Sequence, residues 1–425
     1  MAYACGLDFG TSNSTVGVFQ NDQVLLAKLE EDKVTLPSVI FFNADLDEVS
    51  YGRAALNDYL EGYEGRLMRS MKSLLGTGLI EGHTEVQGRR ISYKDLLGQY
   101  IRELKHRAEA NIQQHFDHAV FGRPVHFIDD DIKADHIAET TLRDIALAAG
   151  FKEVSFQFEP IAAALDYESR LQREELVLIV DIGGGTSDFS IVRLSPQRRH
   201  LLERQQDILS NTGVHIGGTD FDKYLSLAKF MPLLGLGGKL QGGADMPSAN
   251  YFNLATWHTI NLVYSQKVIR EIQDLQHDIS DAFLREACAR LLYLIEERNG
   301  HWLAIQAEEA KIRLSSEEFL VASLDRLKCK TRDESYPSVD IYDHELQHAI
   351  SPLLSQICTT VELSLQQAMV DAAAINTVYF TGGASGVKGL RQKLATLLPQ
   401  AKQVDGDIFG SIGSGLGWEA HRRYA

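Results

Sequence analysis

Cysteine is scarce in this sequence, and long apolar runs are missing. Its 425 residues include four cysteines, which lie far apart and form no CxxC pair: Cys5, Cys288, Cys329 and Cys358. This spacing predicts reduced thiols rather than a disulfide framework or a zinc site. No apolar run approaches the roughly 20 residues that span a bilayer, and MAYACGLDFG at the start lacks the basic segment and apolar core of a signal peptide. We therefore expect a cytoplasmic protein that is not embedded in a membrane.

Basic residues are also in deficit. The sequence has 42 Lys and Arg residues against 58 Asp and Glu residues, which gives a formal net charge of −16 at pH 7. Nucleic acids and anionic membranes attract basic surfaces, so this balance predicts neither as a partner. Two phosphate-binding signatures are absent too, since there is no GxxxxGK(S/T) and no GxGxxG after a strand-like segment. Their absence argues against a P-loop and a Rossmann site.

The sequence does contain a repeated turn. ACGLDFGTSNSTVGVF (4–19) and VLIVDIGGGTSDFSIV (177–192) each have an apolar strand-like segment, an Asp, a turn of Gly, Thr and Ser, and a second apolar segment. The pattern predicts two β-hairpins whose tips need glycine because the backbone turns sharply or lies against a ligand. A third glycine turn, VYFTGGASGVKGL (378–390), follows a strand-like segment and opens a helix-like one. Together these turns predict two α/β lobes that face each other across a cleft.

The chemistry of the two hairpin tips favours a phosphate ligand. Consecutive backbone N–H groups at a glycine turn form a nest for anions, and hydroxyl groups in the turns can donate further hydrogen bonds. Asp8 and Asp181 begin the two turns, and a carboxylate repels phosphate unless a cation lies between them. The two aspartates therefore indicate Mg²⁺, bound directly or through its waters. One such turn alone is more often an ordinary Asx-type turn, whereas two matched copies favour a nucleotide site.

These residues resemble the actin, sugar-kinase and heat-shock chaperone ATPase superfamily, and most specifically the ATPase domain of the DnaK-type (heat-shock seventy) chaperones. The first hairpin is similar to that family's first phosphate loop. KSLLG (72–76) is similar to its catalytic-lysine segment, and FEPIAAALDY (158–167) to its Glu-Pro crossing helix. HIGGTDFD (215–222) and EEAKIRLSS (308–316) match its later motifs. The resemblance follows the family's order along nearly the whole chain.

The resemblance implies a fold and a domain organisation. The fold is the α/β, actin-like (ribonuclease H-like) ATPase fold with two lobes around a nucleotide cleft, and no peptide-binding β-sandwich is expected among these residues. The implied domains are lobe I at 1–170 with an outer subdomain at about 37–92, lobe II at 171–400 with an enlarged outer subdomain at about 214–340, and a C-terminal helix at 401–425 that returns to lobe I.

The resemblance also implies the ligands and the site residues. The ligands are ATP or ADP with Mg²⁺, and K⁺ is a further candidate ion. Lys72 would offset charge on the transferred phosphoryl group, Glu159 would lie near the attacking water, and Thr186 and Asp188 would complete the catalytic set. The implied nucleotide-binding positions are Gly10, Thr11, Ser12, Asn13, Gly183, Gly184, Gly185, Gly217, Gly218, Glu308, Lys311, Ser315, Gly382, Gly383 and Ala384.

The sequence departs from the family pattern at the purine pocket and in the second lobe. Ile312 and Gly386 stand where the family usually has arginines, one of them against the adenine ring. We therefore expect a partly rebuilt pocket with altered nucleotide affinity or base selectivity. The second lobe carries an extra piece that includes GLGGKLQGGADMPSAN (235–250), whose glycine content indicates a mobile surface loop. Helical patterning resumes after it.

The predicted function is ATP hydrolysis coupled to lobe closure, which an unknown protein partner or client would detect. Two alternatives stay open within the same superfamily. A small-molecule kinase would need an acidic base such as Asp129, and an actin-like filament protein would assemble in response to nucleotide. The acidic run 129–131 is also explained by a simpler hypothesis, which is that it caps a helix that begins near residue 132.

Overall fold

A computed structural model of the chain describes residues 3–86, 88–124, 126–128, 131–198, 201, 205–327, 337–407 and 410–424. Cys329 and the acidic pair Asp129 and Asp130 therefore lie outside the described residues. The chain divides into two compact units. The first unit consists of Met1–Gly218, Ser355–Ser385 and Leu390–Ala425, and the second of Thr219–Leu354 and Gly386–Gly389.

The described strands and helices alternate along much of the chain. The strands are β1 Ala4–Phe9, β2 Asn13–Gln20, β3 Gln23–Leu26, β4 Leu36–Pro37, β5 Val39–Asn43, β6 Glu48–Tyr51, β7 Gly65–Arg69, β8 His83–Val86, β9 Arg89–Ser92, β10 His118–Arg123, β11 Glu153–Phe158, β12 Glu175–Ile182, β13 Ser187–Leu194, β14 Ile208–Val214, β15 Phe319–Ser323, β16 Ser338–Tyr342, β17 Thr377–Thr381 and β18 Lys402–Asp405. The helices are α1 Gly52–Glu61, α2 Tyr93–Ile112, α3 Ile132–Ala148, α4 Glu159–Glu168, α5 Gly218–Lys229, α6 Ala249–Leu254, α7 Gln266–His277, α8 Ala282–Glu296, α9 Gly300–Leu314, α10 Asp343–Ala368, α11 Lys388–Leu397 and α12 Ser411–Tyr424. Among the described helices, none is both long enough and apolar enough to cross a bilayer.

The first large sheet of the first unit contains the first predicted hairpin. Its strand order is β11-β10-β1-β2-β3, and β4 pairs with β2. β1 and β2 are antiparallel, with Asp8 opposite Thr15, while β1, β10 and β11 run parallel. Helices α2 and α3 contribute to the same apolar core as this sheet, which includes the buried side chains of Leu7, Phe9 and Phe121. The first hairpin is thus confirmed, and it places Asp8 near the end of a buried strand.

The second large sheet repeats this arrangement. Its strand order is β14-β13-β12-β17-β18. β12 and β13 form the second predicted hairpin, in which Asp181 is opposite Asp188. β17 runs parallel to β12 with Thr381 beside Asp181, and its carboxyl end leads into the third glycine turn before α11. Both hairpins and the third turn therefore follow the pattern that the sequence predicts.

Helix α12 packs on α4 with its backbone unusually close to that of α4. A Cβ atom at Gly415 would lie 1.9 Å from the carbonyl oxygen of Ala162, and one at Gly6 would lie 2.1 Å from the carbonyl carbon of Leu416. A Cβ atom at Gly17 would lie 2.1 Å from the carbonyl oxygen of Gly413. The helix therefore touches both α4 and the first hairpin at distances that only glycine allows. The small residues of the run Ala162–Ala164 and of GSGLGWEA (413–420) predict such a close crossing from the sequence, and the contact at Gly415 confirms it.

The acidic residue before α3 caps that helix. Asp131 is its N-cap, and Asp131 Oδ1 accepts a hydrogen bond from the backbone N–H of Ala134 at 2.9 Å. The side chain satisfies a donor that the first turn of a helix leaves open. The cap is thus confirmed for Asp131, the described member of the acidic run.

The second unit contains the hairpin β15–β16 and the helices of the predicted enlargement. The glycine-rich stretch 235–250 lies at the surface, and its backbone is hydrogen-bonded: Gln241 N–H donates to the Asp278 carbonyl at 3.0 Å and Met246 N–H to the Gly238 carbonyl at 2.9 Å. Its glycines serve turns, because four of them have positive φ: Gly235, Gly237, Gly242 and Gly243. The predicted surface position is correct, and the predicted mobility stays a prediction.

Replacement of Gly415 by alanine tests the contact between α12 and α4. The added methyl group would overlap the Ala162 carbonyl, so the helices would have to separate. We expect Gly415→Ala to lower the free energy of unfolding by about 1–3 kcal/mol in urea denaturation. Gly78→Ala is the control, since a Cβ atom there would meet nothing within 4 Å, and it should change stability by less than about 0.5 kcal/mol. Equal effects would contradict the backbone contact.

Candidate active site

The centre of the candidate site is a buried ion pair. Lys72 Nζ lies 2.5 Å from Glu159 Oε1, and each side chain is 8% exposed. Lys72 lies in the 3₁₀ helix Met71–Leu74, and Glu159 is the first residue of α4. Lys72 is therefore not the exposed surface lysine that its residue type alone would suggest.

The chain around Lys72 turns sharply on both sides of it. Ser70 precedes the 3₁₀ helix in the left-handed region, with φ of 56°, and Gly76 follows it with φ of 78°. A Cβ atom at Gly76 would lie 2.6 Å from a side-chain carbon of Ile128. Between these turns, the side chain of Leu74 is buried. The segment is fixed by packing at both ends, which holds the Lys72 side chain in the interior.

Carboxylates collect around this lysine. Burial, and after it the negative charge of Glu159, raises the pKa of Asp8 to about 7 against the opposing effect of Lys72. Burial also raises the pKa of Asp181 well above its usual range, and the charges of Glu159, Asp188 and Asp8 add to this effect. The charged groups that influence one another here are Asp181 on β12, Asp188 on β13, Asp8 on β1, Lys72 in the 3₁₀ helix and Glu159 on α4.

The pKa of Lys72 is raised as well, which for a lysine favours the charged form. Burial alone would lower the pKa of Lys72, but the negative charges of Glu159 and Asp8 outweigh burial and raise it above its ordinary value. Lys72 therefore remains an ammonium ion throughout the neutral pH range. A permanent positive charge in a dry site interacts strongly with any negative group that enters.

The charge balance and one open acceptor fit a divalent cation. Negative charge exceeds positive charge in this cluster, and Asp181 Oδ1 is buried without a hydrogen-bond partner among the described residues. No group of three or more His, Cys, Asp or Glu side chains in the described part of the chain forms a ready-made metal cage. Mg²⁺ usually keeps several waters and takes only one or two carboxylates. Asp8 and Asp181 therefore fit a hydrated Mg²⁺ ion better than a cage-bound metal.

The two hairpin tips approach each other closely. A Cβ atom at Gly184 would lie 2.5 Å from Ser12 Oγ, and one at Gly185 would lie 3.3 Å from Thr11 Oγ1. A Cβ atom at Gly217 would lie 2.5 Å from the carbonyl carbon of Gly184. The structure thus brings together most of the phosphate-loop positions that the sequence implies, which are Gly10, Thr11, Ser12, Asn13, Gly183, Gly184, Gly185, Thr186, Gly217 and Gly218.

Several glycine-turn N–H groups already have partners in the protein. Gly183 N–H donates to the Thr186 carbonyl at 2.9 Å, and Gly218 N–H donates to the Gly183 carbonyl at 2.9 Å. Ala384 N–H in the third turn donates to the Ile182 carbonyl at 3.0 Å, next to Gly382 and Gly383. The N–H groups of Gly183, Gly218 and Ala384 are therefore used within the protein and do not bind a ligand. The anion-binding nest of backbone N–H groups is smaller than the glycine turns in the sequence predict.

The remaining candidate positions belong to the second unit. Glu308 and Lys311 lie on α9, and Ser315 is its C-cap. Lys311 Nζ lies 2.7 Å from Asp222 Oδ1, and both side chains are buried. Ser315 Oγ donates a hydrogen bond to the Ile312 carbonyl at 2.6 Å, and Ile312 is 57% exposed. A Cβ atom at Gly386 would lie 3.8 Å from Ser315 Cβ. The second unit thus brings Gly386 next to Ser315 at the end of the helix that carries Ile312.

Sequence reasoning missed residues that brace these positions. Ser38 Oγ donates to the Gly10 carbonyl at 2.7 Å, and Ser38 N–H donates to the Ser12 carbonyl at 2.8 Å. Asp222 was also missed as the partner of Lys311. A serine after a proline carries no signal of its own, and the second aspartate of GGTDFD shows its role only when α5 and α9 are folded together.

Comparison with known proteins agrees with these observations. The family model described as "Hsp70 protein" matches residues 4–231 and 293–414. A protein named "Chaperone protein DnaK" from Ureaplasma parvum serovar 3 is 30% identical over 222 residues, which is 52% of this chain and 33% of that protein. Another with the same name, from Ureaplasma urealyticum serovar 10, is 29% identical over 222 residues, which is 52% of this chain and 34% of that protein.

The match confirms the family and the fold that the motifs predict. It omits residues 232–292, which contain the glycine-rich stretch and helices α6 to α8, except for the end of α8. The aligned segment spans about a third of the length of the curated relatives that it matches. The ATPase domain of the matched family has the actin-like fold, and the two repeated sheets with their glycine hairpins agree with it. Since the match covers most of the described strands of both sheets, this chain belongs to the Hsp70 family.

Proposed function

We propose that this protein binds ATP with Mg²⁺ and transfers the γ-phosphoryl group to water. The observation that carries the proposal is the buried Lys72–Glu159 ion pair, surrounded by the carboxylates of Asp8, Asp181 and Asp188. Several buried carboxylates around one ammonium destabilise the folded protein, and a bound cation would offset that cost. Family membership supports the same nucleotide class.

The residues would divide the chemistry between them. Lys72 stabilises negative charge on the phosphoryl group in transfer, where a fixed positive charge contributes most. Glu159, held by Lys72, orients the attacking water and accepts a hydrogen bond from it. Asp8 and Asp181 would hold Mg²⁺, which when bound neutralises charge on the phosphate oxygens. The hairpin tips would limit the positions that the phosphates can take.

We further propose that nucleotide turnover changes the arrangement of the two sheets and that a protein partner or client responds to that change. One apolar core contains residues of α4, α12 and strands from both sheets, among them Val120, Val177 and Leu416. A small-residue crossing in such a core allows short sliding movements of packed helices. The chaperone names of the relatives support a protein client, while the kinase and filament alternatives have no comparable support.

Removal of the lysine charge should affect turnover more than binding. We expect Lys72→Met to slow single-turnover ATP hydrolysis by about 100- to 1,000-fold, because the charge acts mainly in the transition state. The dissociation constant for ATP should change by less than about fivefold in calorimetry. Lys105→Met is the matched control, since Lys105 is another buried lysine that pairs with a glutamate, Glu109. Loss of binding and turnover in equal measure would make Lys72 a ground-state contact instead.

Removal of one proposed metal ligand should have two separable effects. We expect Asp181→Asn to lower Mg²⁺-dependent turnover by at least about 100-fold, because charge compensation at the phosphates is lost. In the absence of nucleotide the same variant should melt at a higher temperature, because the buried Asp181 carboxyl must either take up a proton on folding or carry a charge that three carboxylates repel, and the neutral amide avoids both costs. The melting shift produced by MgADP should also be smaller than in the natural protein. Unchanged turnover in the variant, or turnover in excess EDTA, would contradict the assignment.

The departures from the family pattern predict weak base selectivity. An arginine that stacks on an aromatic ring contributes about 1 kcal/mol when partly desolvated. We expect micromolar ATP affinity and little preference for ATP over GTP, and we expect Ile312→Arg to strengthen ATP binding about fivefold. Met369→Arg adds the same charge at a side chain that is 92% exposed in the first unit, so it controls for net charge. Tight, adenine-specific binding by the natural protein would show that other residues complete the pocket.

A further inference from the structure

An arginine network lies beside the candidate site and has no part in the function described so far. Arg123 is the last residue of β10, and its guanidinium carbon lies 5.1 Å from the ring centroid of Phe127 and 5.1 Å from that of Phe158. Its Nη1 donates to Glu139 Oε2 at 2.6 Å, and its Nη2 donates to Asp135 Oδ2 at 2.6 Å. The guanidinium is thus held between two aromatic rings and fixed at its rim by two carboxylates of α3. A buried arginine with this many directed contacts is rigid.

The network joins the phosphate site through neighbouring residues. Arg123 pairs with Phe158 in the register of β10 and β11, and Phe158 directly precedes Glu159. On the adjacent residue of β10, a Cβ atom at Gly122 would lie 3.0 Å from Glu159 Cγ and 3.4 Å from its Oε1. Arg123 at the end of β10 therefore lies beside Phe158, and the residue before it, Gly122, lies beside Glu159. Glu159 in turn meets Lys72.

We propose that Arg123 is a positioning residue for Glu159. By holding the Phe158 ring it fixes the point where β11 passes into α4, and this point sets the direction in which the Glu159 carboxylate extends toward Lys72. The effect on ATP turnover rests on the proposed function. The effect on the Lys72–Glu159 contact is independent of it, because that contact joins two side chains of the protein itself.

The surroundings of Arg123 argue against a direct role in phosphate binding. Its Nε donates to the Pro124 carbonyl at 3.0 Å, so all three of its nitrogen atoms have partners. Arg143 Nη2 donates to the second oxygen of Glu139 at 3.0 Å, which balances two arginines against Asp135 and Glu139. Because Arg123 is already paired with two carboxylates of α3, it holds position and does not attract an anion.

Arg123→Lys tests the proposal because lysine keeps the charge but cannot stack between two rings and bridge two carboxylates at once. We expect single-turnover ATP hydrolysis to slow by about 10- to 100-fold, as small displacements of a catalytic group do, while the dissociation constant for ATP changes less than about twofold. Arg143→Lys is the matched control. Arg143 also pairs with Glu139 and lies 5.1 Å from an aromatic ring of β11, that of Phe156, but it does not contact the strand end. The rate of this variant should stay within about twofold.

A double-mutant cycle separates positioning from general destabilisation. If Arg123 acts through Glu159, Arg123→Lys should not slow the Glu159→Gln protein any further. Slowing of the Glu159→Gln protein by the same factor as the natural protein would overturn the proposal. Should Arg123→Lys fail to fold, Asp135→Asn loosens the same guanidinium with a smaller change, and the same cycle with Glu159→Gln applies to it.

A crystal structure of the nucleotide-free Arg123→Lys protein gives a readout that needs no activity. We expect the Lys72 Nζ–Glu159 Oε1 contact to lengthen beyond hydrogen-bonding distance, about 3.5 Å, while Arg143→Lys keeps it. An unchanged contact in Arg123→Lys would refute the positioning role even if turnover falls. Failure of the natural protein to bind or hydrolyse ATP would instead refute the proposed function and leave this structural test decisive for Arg123.

Discussion

Close contact between bare backbone segments is the constraint on which the candidate site depends. Gly415 meets the carbonyl of Ala162, and Gly217 meets the backbone of Gly184, at distances that exclude any Cβ atom. Gly184 in turn lies beside Ser12 of the first hairpin, and Asp8 and Asp181 on the two hairpins influence each other's ionisation. Glycine at these positions is therefore required by packing as well as by any ligand. The conformational freedom that these glycines add to the unfolded chain is a cost that the packed sheets must offset.

The second constraint is electrostatic. The site holds more negative than positive charge in a buried place, which raises the pKa values of Asp8 and Asp181 and leaves an oxygen of Asp181 without a partner among the described residues. Such an arrangement destabilises the protein on its own. Contrast the Arg123 network, in which two arginines balance two carboxylates. The excess negative charge of the first cluster is what the proposed Mg²⁺ would offset, whereas the Arg123 network already pairs its carboxylates with arginines.

The sequence predicts the features that local patterns encode. Both hairpins, the glycine turn after β17, the Asp131 cap and the crossing of α4 and α12 were visible because each depends on a short run of residues. The family resemblance implied that Lys72 and Glu159 both belong to the site, but their pairing was not predicted, because nothing in either segment alone indicates its partner. The bracing by Ser38 and the arginine network were not predicted. Both join residues that are distant along the chain and close only in the folded sheet.

The position of α12 has a consequence for how the chain acquires its structure. This helix lies far along the chain from the first hairpin, yet it covers Gly6 and Gly17 on the first two strands. During synthesis on the ribosome, the first hairpin emerges early and its glycine surface stays uncovered until α12 follows. Contacts of such long sequence separation form late and slow the folding reaction. The glycine surface of the first hairpin is thus open to wrong contacts until α12 has been synthesised.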